Sequence, residues 1–345
     1  MDPLALRTLE LVDIPSLSRE EATIVEHVRG LMPASPVYDD DTVLFYPGRI
    51  VLAGHYDTVP EQDNLPGRIE DGWVVGLGST DMKGGVAVMI ELARVGAPFG
   101  YLFFGREELP AGESALPRFF ERHGLEADLV VMLEPTDDSI HAGCLGNLNA
   151  RLVFHGTSAH SARPWTGDNA IDHAVQGLSS IVGLQPVDVR IQGLVFREVL
   201  SVTGIEGGIA TNVIPDRAVA TLNFRYAPNR TPEEAVARLR ELVGADTRGL
   251  PEGTKIELEL LGNSPAAHVA VESPLVQALR EAGGYDVHPK QAWTPVAEFA
   301  QHGLDAVNLG PGATRYAHKR DERVEIASLR RTYDALLRFI DTVDG

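Results

Sequence analysis

Ile50-Val51-Leu52-Ala53-Gly54-His55-Tyr56-Asp57 sets how the rest of the chain is read. An apolar start with polar residues at the end is the profile of a buried strand whose carboxyl terminus carries chemistry. His55 and Asp57 stand two apart on extended chain, so their side chains share one face. The pattern recurs. Tyr101–Phe104 is a predicted strand followed by Arg106, Glu107 and Glu108, and Leu129–Leu133 is another, followed by Glu134-Pro135-Thr136. Between them the spacing predicts helices over Asp81–Arg94 and about Ser114–His123, with Gly84 and Gly85 where a backbone approaches closely. Alternating strand and helix implies a mainly parallel sheet covered on both faces. Ligands of such sheets gather beyond the carboxyl ends of the strands, where three predicted strands here deliver His, Asp or Glu.

Leu4–Val12 has helical spacing, and Ser16–Arg29 reads as a second helix opened by Ser16 or Ser18. After Gly146 the texture changes. Strand Asn149–Phe154, helix Asn169–Val182, strands Val199–Gly204 and Ala218–Tyr226, helix Pro232–Val243 and strand Lys255–Leu261 make a ferredoxin-like α+β unit. Asn263–Pro265 reads as a return linker. Helix Ser273–Ala282, strand Ala306–Leu309 and helix Ile326–Val343 then close the first unit. The expected fold class is α/β: a mainly parallel, mixed-sheet catalytic domain of residues 1–148 and 265–345, with an inserted α+β domain of residues 149–264.

A chain of 345 residues with 44% apolar residues can bury two sizeable cores. Its net charge of -19 offers no surplus of Lys and Arg for phosphate, which argues against nucleic acid as a partner. The single cysteine, Cys144, excludes an internal disulfide and fits a reducing compartment. Neither a signal-peptide pattern nor an apolar run of roughly 20 residues is present, so the expectation is a soluble cytoplasmic protein without a membrane partner.

His, Asp and Glu converging on one sheet edge are the donors that two neighbouring metal ions require, with one carboxylate bridging and room left for water. His55 can bind metal while Asp57 fixes its ring or a neighbouring ligand. Asp81 can bridge two cations, although an acid opening a helix is also ordinary capping chemistry. Of the adjacent pair Glu107 and Glu108, one can bind metal while the other stays free as a base. Glu134 and His318 complete the candidate ligands.

The runs Gly54-His55-Tyr56-Asp57-Thr58-Val59-Pro60, Gly78-Ser79-Thr80-Asp81-Met82-Lys83-Gly84-Gly85 and Arg106-Glu107-Glu108 resemble the aminoacylase/carboxypeptidase family of dinuclear zinc hydrolases. Glu134-Pro135-Thr136, Gly156-Thr157-Ser158-Ala159-His160-Ser161 and Ala317-His318-Lys319-Arg320-Asp321-Glu322 continue the match across nearly the whole chain. The resemblance implies a zinc-exopeptidase-like catalytic domain with a dimerisation and lid domain, and two Zn2+ per subunit, with Co2+ or Mn2+ as substitutes. His55, Asp81 and Glu134 would hold one ion; Asp81, Glu108 and His318 would hold the other. Asp57 would orient His55, and Glu107 would move the proton from water to the leaving amine. His160 would stabilise the oxyanion from the partner subunit of a homodimer. Asn212 and Arg225 match positions that contact substrate in relatives, with Arg163 and Arg197 as further candidates. Gly310-Pro311-Gly312 resembles a loop whose amides meet the substrate, though a tight turn is equally compatible with it.

The runs Gly167-Asp168-Asn169-Ala170-Ile171 and Asn212-Val213-Ile214-Pro215-Asp216 narrow the resemblance to members that split N-succinyl-LL-2,6-diaminopimelate into succinate and LL-2,6-diaminopimelate. One segment departs: such relatives usually read Thr-Asp-Val-Ala-Arg-Phe where this chain has Thr294-Pro295-Val296-Ala297-Glu298-Phe299. Thr294 as N-cap and Pro295 as first helical residue keep helix chemistry intact while the charge changes. That keeps acetylornithine deacetylation, another N-acyl amino acid deacylase and a dipeptidase as alternatives. A non-catalytic, metal-stabilised binding protein is the remote one, since such a protein has no need of Glu107.

Overall fold

Four parallel strands carry the candidate residues, in the spatial order Gly100–Phe104, Ile50–His55, Leu129–Pro135, Ala306–Gly310. Every residue of these strands is buried, as expected where helices cover both faces of a parallel sheet. The sheet has eight strands. Val43–Tyr46 pairs antiparallel with Gly100–Phe104, and Ile140–Cys144 antiparallel with Ala306–Gly310, so the sheet is mixed toward its edges. The computed structural model describes residues 2–244 and 255–344. The chain divides into two compact units, one of residues 1–143, 268–289 and 295–345, the other of residues 144–267 and 290–294.

In the first unit, helices Pro3–Val12, Gly84–Arg94 and Ile326–Asp344 pack on one another. Asp2 caps the first of them, its side chain accepting from the amides of Leu4 and Ala5, with Pro3 at the first helical position. The helix expected from Ser16 begins only at Ala22. Residues 16–18 instead run beside 56–58, with the Thr58 amide donating to the Ser16 carbonyl at 2.9 Å and the Ser18 amide to the Thr58 carbonyl. Extended pairing has displaced the cap that a serine before an apolar periodic run suggests.

The second unit is an antiparallel sheet in the order Val187–Ile191, Leu194–Gly207, Arg217–Tyr226, Gly146–His155, Ile256–Ser264, with helices Ala170–Val182 and Pro232–Gly244. Without the Val187–Ile191 edge strand, which the sequence reading missed, this is the ferredoxin-like order. Leu148, Leu152, Phe154, Leu222 and Phe224 form the core with Leu178, Ile181 and Leu239 from the helices. Thr221, Asn223 and Arg225 alternate onto the opposite face of their strand. Asn263 and Ser264, read as the start of a linker, continue the edge strand opposite Leu148 and Asn147. No helix among the described residues is long and apolar enough to cross a membrane.

Candidate active site

His55 closes its strand fully buried, with Phe104 beside it in the sheet register. Its Nδ1 lies 3.1 Å from the Asp57 carbonyl oxygen and 3.5 Å from Asp57 Oδ1. An Nδ1–H donating there leaves Nε2 as the free lone pair, the tautomer a metal ligand needs. Asp57, also fully buried, does more than orient a ring. Its Oδ1 accepts from the Glu107 amide and its Oδ2 from the Glu108 amide, each at 3.2 Å, and Oδ2 also accepts from the Ser18 hydroxyl at 2.7 Å. Burial alone would raise its pKa, but His55, Ser18 and the Glu107 amide hold it below the usual carboxylate range. Arg106, just before the acid pair, has φ 61°. A left-handed non-glycine residue costs roughly 1–2 kcal/mol, and the grip of Asp57 on the next two amides fixes that turn.

Asp81 departs from the helix expected over Asp81–Arg94. It has φ −125°, ψ 90°, its peptide bond to Met82 is cis, and the α-helix begins at Gly84. Its two carboxylate oxygens face different histidines. Oδ1 lies 3.2 Å from His55 Nε2, and Oδ2 lies 3.3 Å from His318 Nε2. Glu134 Oε1 and Glu107 Oε2 lie 3.7 and 3.9 Å from His55 Nε2, and Glu108 Oε1 lies 2.9 Å from His318 Nε2. His318 is half-exposed with φ 58°, and its carbonyl accepts from Gln62 Nε2 at 3.1 Å. All five candidate ligands and Glu107 are thus brought together on one edge of one sheet.

Two glycines explain how Glu134 is seated. A Cβ at Gly85 would lie 2.5 Å from the Leu133 carbonyl oxygen, and one at Gly310 would lie 2.1 Å from the same atom. A helix and a neighbouring strand therefore both close onto the peptide that precedes Glu134, and only glycine fits at either place. The amides of Gly310 and Gly312, expected to meet a substrate, have partners within the protein. The Gly310 amide donates to Thr136 Oγ1 at 3.3 Å and the Gly312 amide to Ser328 Oγ at 2.9 Å, so both are engaged inside the protein.

The charge balance of the cluster fits metal ions. The carboxylates of Asp81, Glu107, Glu108 and Glu134 gather around the imidazoles of His55 and His318. Burial and the neighbouring carboxylates push the Glu107 pKa well above its ordinary value, against the opposing effect of His55. Burial pulls the His55 pKa down, but Asp57, Asp81, Glu107 and Glu134 together raise it well above normal. Hydrogen bonds donated to Asp81 and Glu108 raise the His318 pKa to about 10. Ligand atoms of His55, Glu107 and Glu134 lie within 4.8 Å of one another, as do those of His55, Asp81 and Glu108. Hard oxygen and imidazole donors at this spacing suit divalent cations.

Three supporting residues escaped the sequence reading. Ser18 looked like a helix cap. Lys83 is almost fully buried, its Nζ donating to the Ile14 carbonyl at 2.8 Å, and burial brings its pKa down to about 7. Glu322 accepts from the amides of Thr80 and Asp81. Lys83 and Glu322 both lie inside the quoted motifs, which was the available signal.

The second unit gathers some of its candidates and separates others. His160 is exposed on a two-residue strand opposite Val213, and its carbonyl accepts from the Arg163 amide at 2.8 Å. The Ser161 amide donates to the Asn212 carbonyl at 3.0 Å, so His160, Arg163 and Asn212 are neighbours. The Ala162 amide donates to His160 Nδ1 at 3.1 Å, which makes Nε2 the protonated nitrogen of the neutral ring. Arg225 sits apart, half-buried, its Nε donating to Asn223 Oδ1 at 2.9 Å. Arg197 is paired with Asp188 at 2.8 Å across adjacent strands.

A model of peptidase family M20/M25/M40 matches residues 51–342, and the chain belongs to that family of hydrolases. Among its relatives, a putative succinyl-diaminopimelate desuccinylase of Mycobacterium tuberculosis is 37% identical, the alignment covering 98% of each chain. A succinyl-diaminopimelate desuccinylase of Corynebacterium glutamicum is 36% identical over 95% of this chain and 93% of the relative. The crystal structure of aminopeptidase PepT from Bacillus cereus has a similar fold, with a TM-score of 0.80 at 21% identity, covering 99% of this chain and 98% of that one.

Proposed function

We propose that this chain is a two-metal amidohydrolase that cleaves N-succinyl-LL-2,6-diaminopimelate to succinate and LL-2,6-diaminopimelate, a cytoplasmic step toward lysine and cell-wall precursors. The observation that carries the reading is near end-to-end identity of 36–37% to relatives bearing that name. His55, Asp81 and Glu134 would hold one zinc ion, and Asp81, Glu108 and His318 the second, Asp81 presenting one oxygen to each side. Cobalt or manganese suits the same donors. Ions bound there polarise a carbonyl and make water acidic enough to react at neutral pH.

The chain's own groups do the rest. Glu107, a carboxylate whose proton affinity burial raises, takes a proton from the attacking water and returns it to the leaving amine as the C–N bond breaks. Asp57 keeps His55 and the Glu107 backbone in register. His160, whose Nδ1 accepts from the Ala162 amide and so leaves the proton on Nε2, is the donor for the oxyanion, supplied across a homodimer. Arg225 makes no carboxylate contact among the described residues, so its guanidinium is available to a substrate carboxylate, with Asn212 and Arg163 as further polar contacts. Gly310 and Gly312 shape the site by packing.

Another deacylase or dipeptidase activity of the same family is the second reading, favoured by Glu298. This half-buried carboxyl has its pKa raised by burial and no cationic partner among the described residues. Primary amine release from zinc-loaded protein tests the choice. Turnover of the succinyl substrate is expected; turnover of N-acetylornithine with none of the succinyl substrate would overturn the acyl assignment and leave the hydrolase standing.

A further inference from the structure

The turn that carries Asp81 and the segment that carries His318 are far apart in sequence and meet at one residue, Glu322. The residue is 1% exposed. One oxygen, Oε1, accepts from the amides of Thr80 and Asp81, both at 3.1 Å. Its carbonyl accepts from the Gly76 amide at 3.0 Å, and its own amide donates to the Lys319 carbonyl at 3.1 Å. These bonds meet a definite need. Because Asp81 has non-helical dihedrals and the α-helix starts only at Gly84, the Thr80 and Asp81 amides have no helical acceptor. Thr80 is itself buried, so water is a poor substitute. Four residues before Glu322 on the same segment, His318 Nε2 faces Asp81 Oδ2. One end of the segment holds the Asp81 backbone and the other meets its carboxylate.

We propose that Glu322 is a positioning residue that fixes Asp81 between His55 and His318 and so couples the two metal positions. This rests on the reading of Asp81 and His318 as ligands. Glu322 acts through the amides it accepts from, Gly78 beside Thr80 and Asp81, by reach and acceptor geometry, and not by its charge.

The test is metal binding, read without substrate. Zn2+ dissociation constants and ion content are measured on the unaltered protein and on Glu322→Gln, Glu322→Asp and Glu322→Ala, with thermal melting of each metal-free form. Gln keeps an acceptor oxygen at the same reach and should bind both ions like the unaltered protein. Asp keeps the charge but withdraws the oxygen by one methylene, and Ala removes it. Both should raise the dissociation constants about 10–100-fold. If Ala does not fold, the Gln and Asp pair decides. Unchanged affinity in Asp with lowered melting would overturn the proposal in favour of a mere strut. Equal weakening in Gln and Asp would also overturn it, since charge would then be the agent. An unaltered protein that fails to bind two ions overturns the ligand reading and this inference together. An unaltered protein that binds two ions but does not turn over the succinyl substrate overturns only the substrate reading, leaving this inference intact.

Discussion

His55 and His160 present the same chemistry in opposite surroundings. Around His55 nearly every donor and acceptor is engaged: Asp57 alone holds the imidazole, two amides and the Ser18 hydroxyl. His160 is exposed, and one backbone amide is the only hydrogen-bond partner of its ring among the described residues. Burial of the four parallel strands, at roughly 1.5–3 kcal/mol for each large apolar side chain, can hold like charges together at the first site. Nothing comparable holds the second. The difference separates a preorganised centre, where displacement is costly, from an exposed imidazole held by a single backbone amide among the described residues.

Substitutions in the two regions should therefore fail in different ways. The largest effect is expected from Glu107→Gln, which should lower kcat toward the upper end of the roughly 10²–10⁴-fold range for a lost general base. It should leave both ions bound, and elemental analysis beside steady-state kinetics checks both halves. Next, His160→Ala should reduce kcat about 10²–10³-fold, as for a lost oxyanion donor, without changing ion content or melting temperature. An altered melting temperature there would erase the contrast drawn above.

A pH effect follows in size. In the metal-free protein Asp81 and Glu108 keep His318 protonated up to about pH 10, whereas a metal takes only the neutral ring. Protons compete with the ion below that pH. Apparent affinity should thus rise with pH, by up to about tenfold per unit for each proton displaced. Calorimetry in buffers of different ionisation heat would count those protons, and pH-independent affinity would contradict the ligand role of His318. Smallest of all, Arg225→Ala should raise KM about tenfold, the lower bound for a charge-assisted hydrogen bond, with kcat nearly unchanged.

How far the site was legible depended on backbone regularity. Buried parallel strands announce themselves as apolar runs, so the residues closing them, His55, Glu107, Glu108 and Glu134, could be read directly. Asp81 stands where a helix pattern begins, and nothing in composition distinguishes a helix start from the non-helical turn found there. Ser18 and Glu322 serve by long-range hydrogen bonds, which leave no local period. Gly310 was read as a donor of its amide, while its missing side chain is what matters, because the Leu133 carbonyl occupies that space. The ferredoxin-like strands were legible through alternation. The Val43–Tyr46 strand, a four-residue apolar run, and the Val187–Ile191 edge strand, a five-residue alternation, each carry a strand pattern that went unread.

The central claim is that one carboxylate, Asp81, joins two metal positions, and anomalous diffraction from crystals of the zinc-loaded protein tests it most directly. Two peaks are expected, one on each side of Asp81, the first bounded by His55 and Glu134 and the second by Glu108 and His318. A single peak, or a pair in which Asp81 touches only one ion, would contradict it.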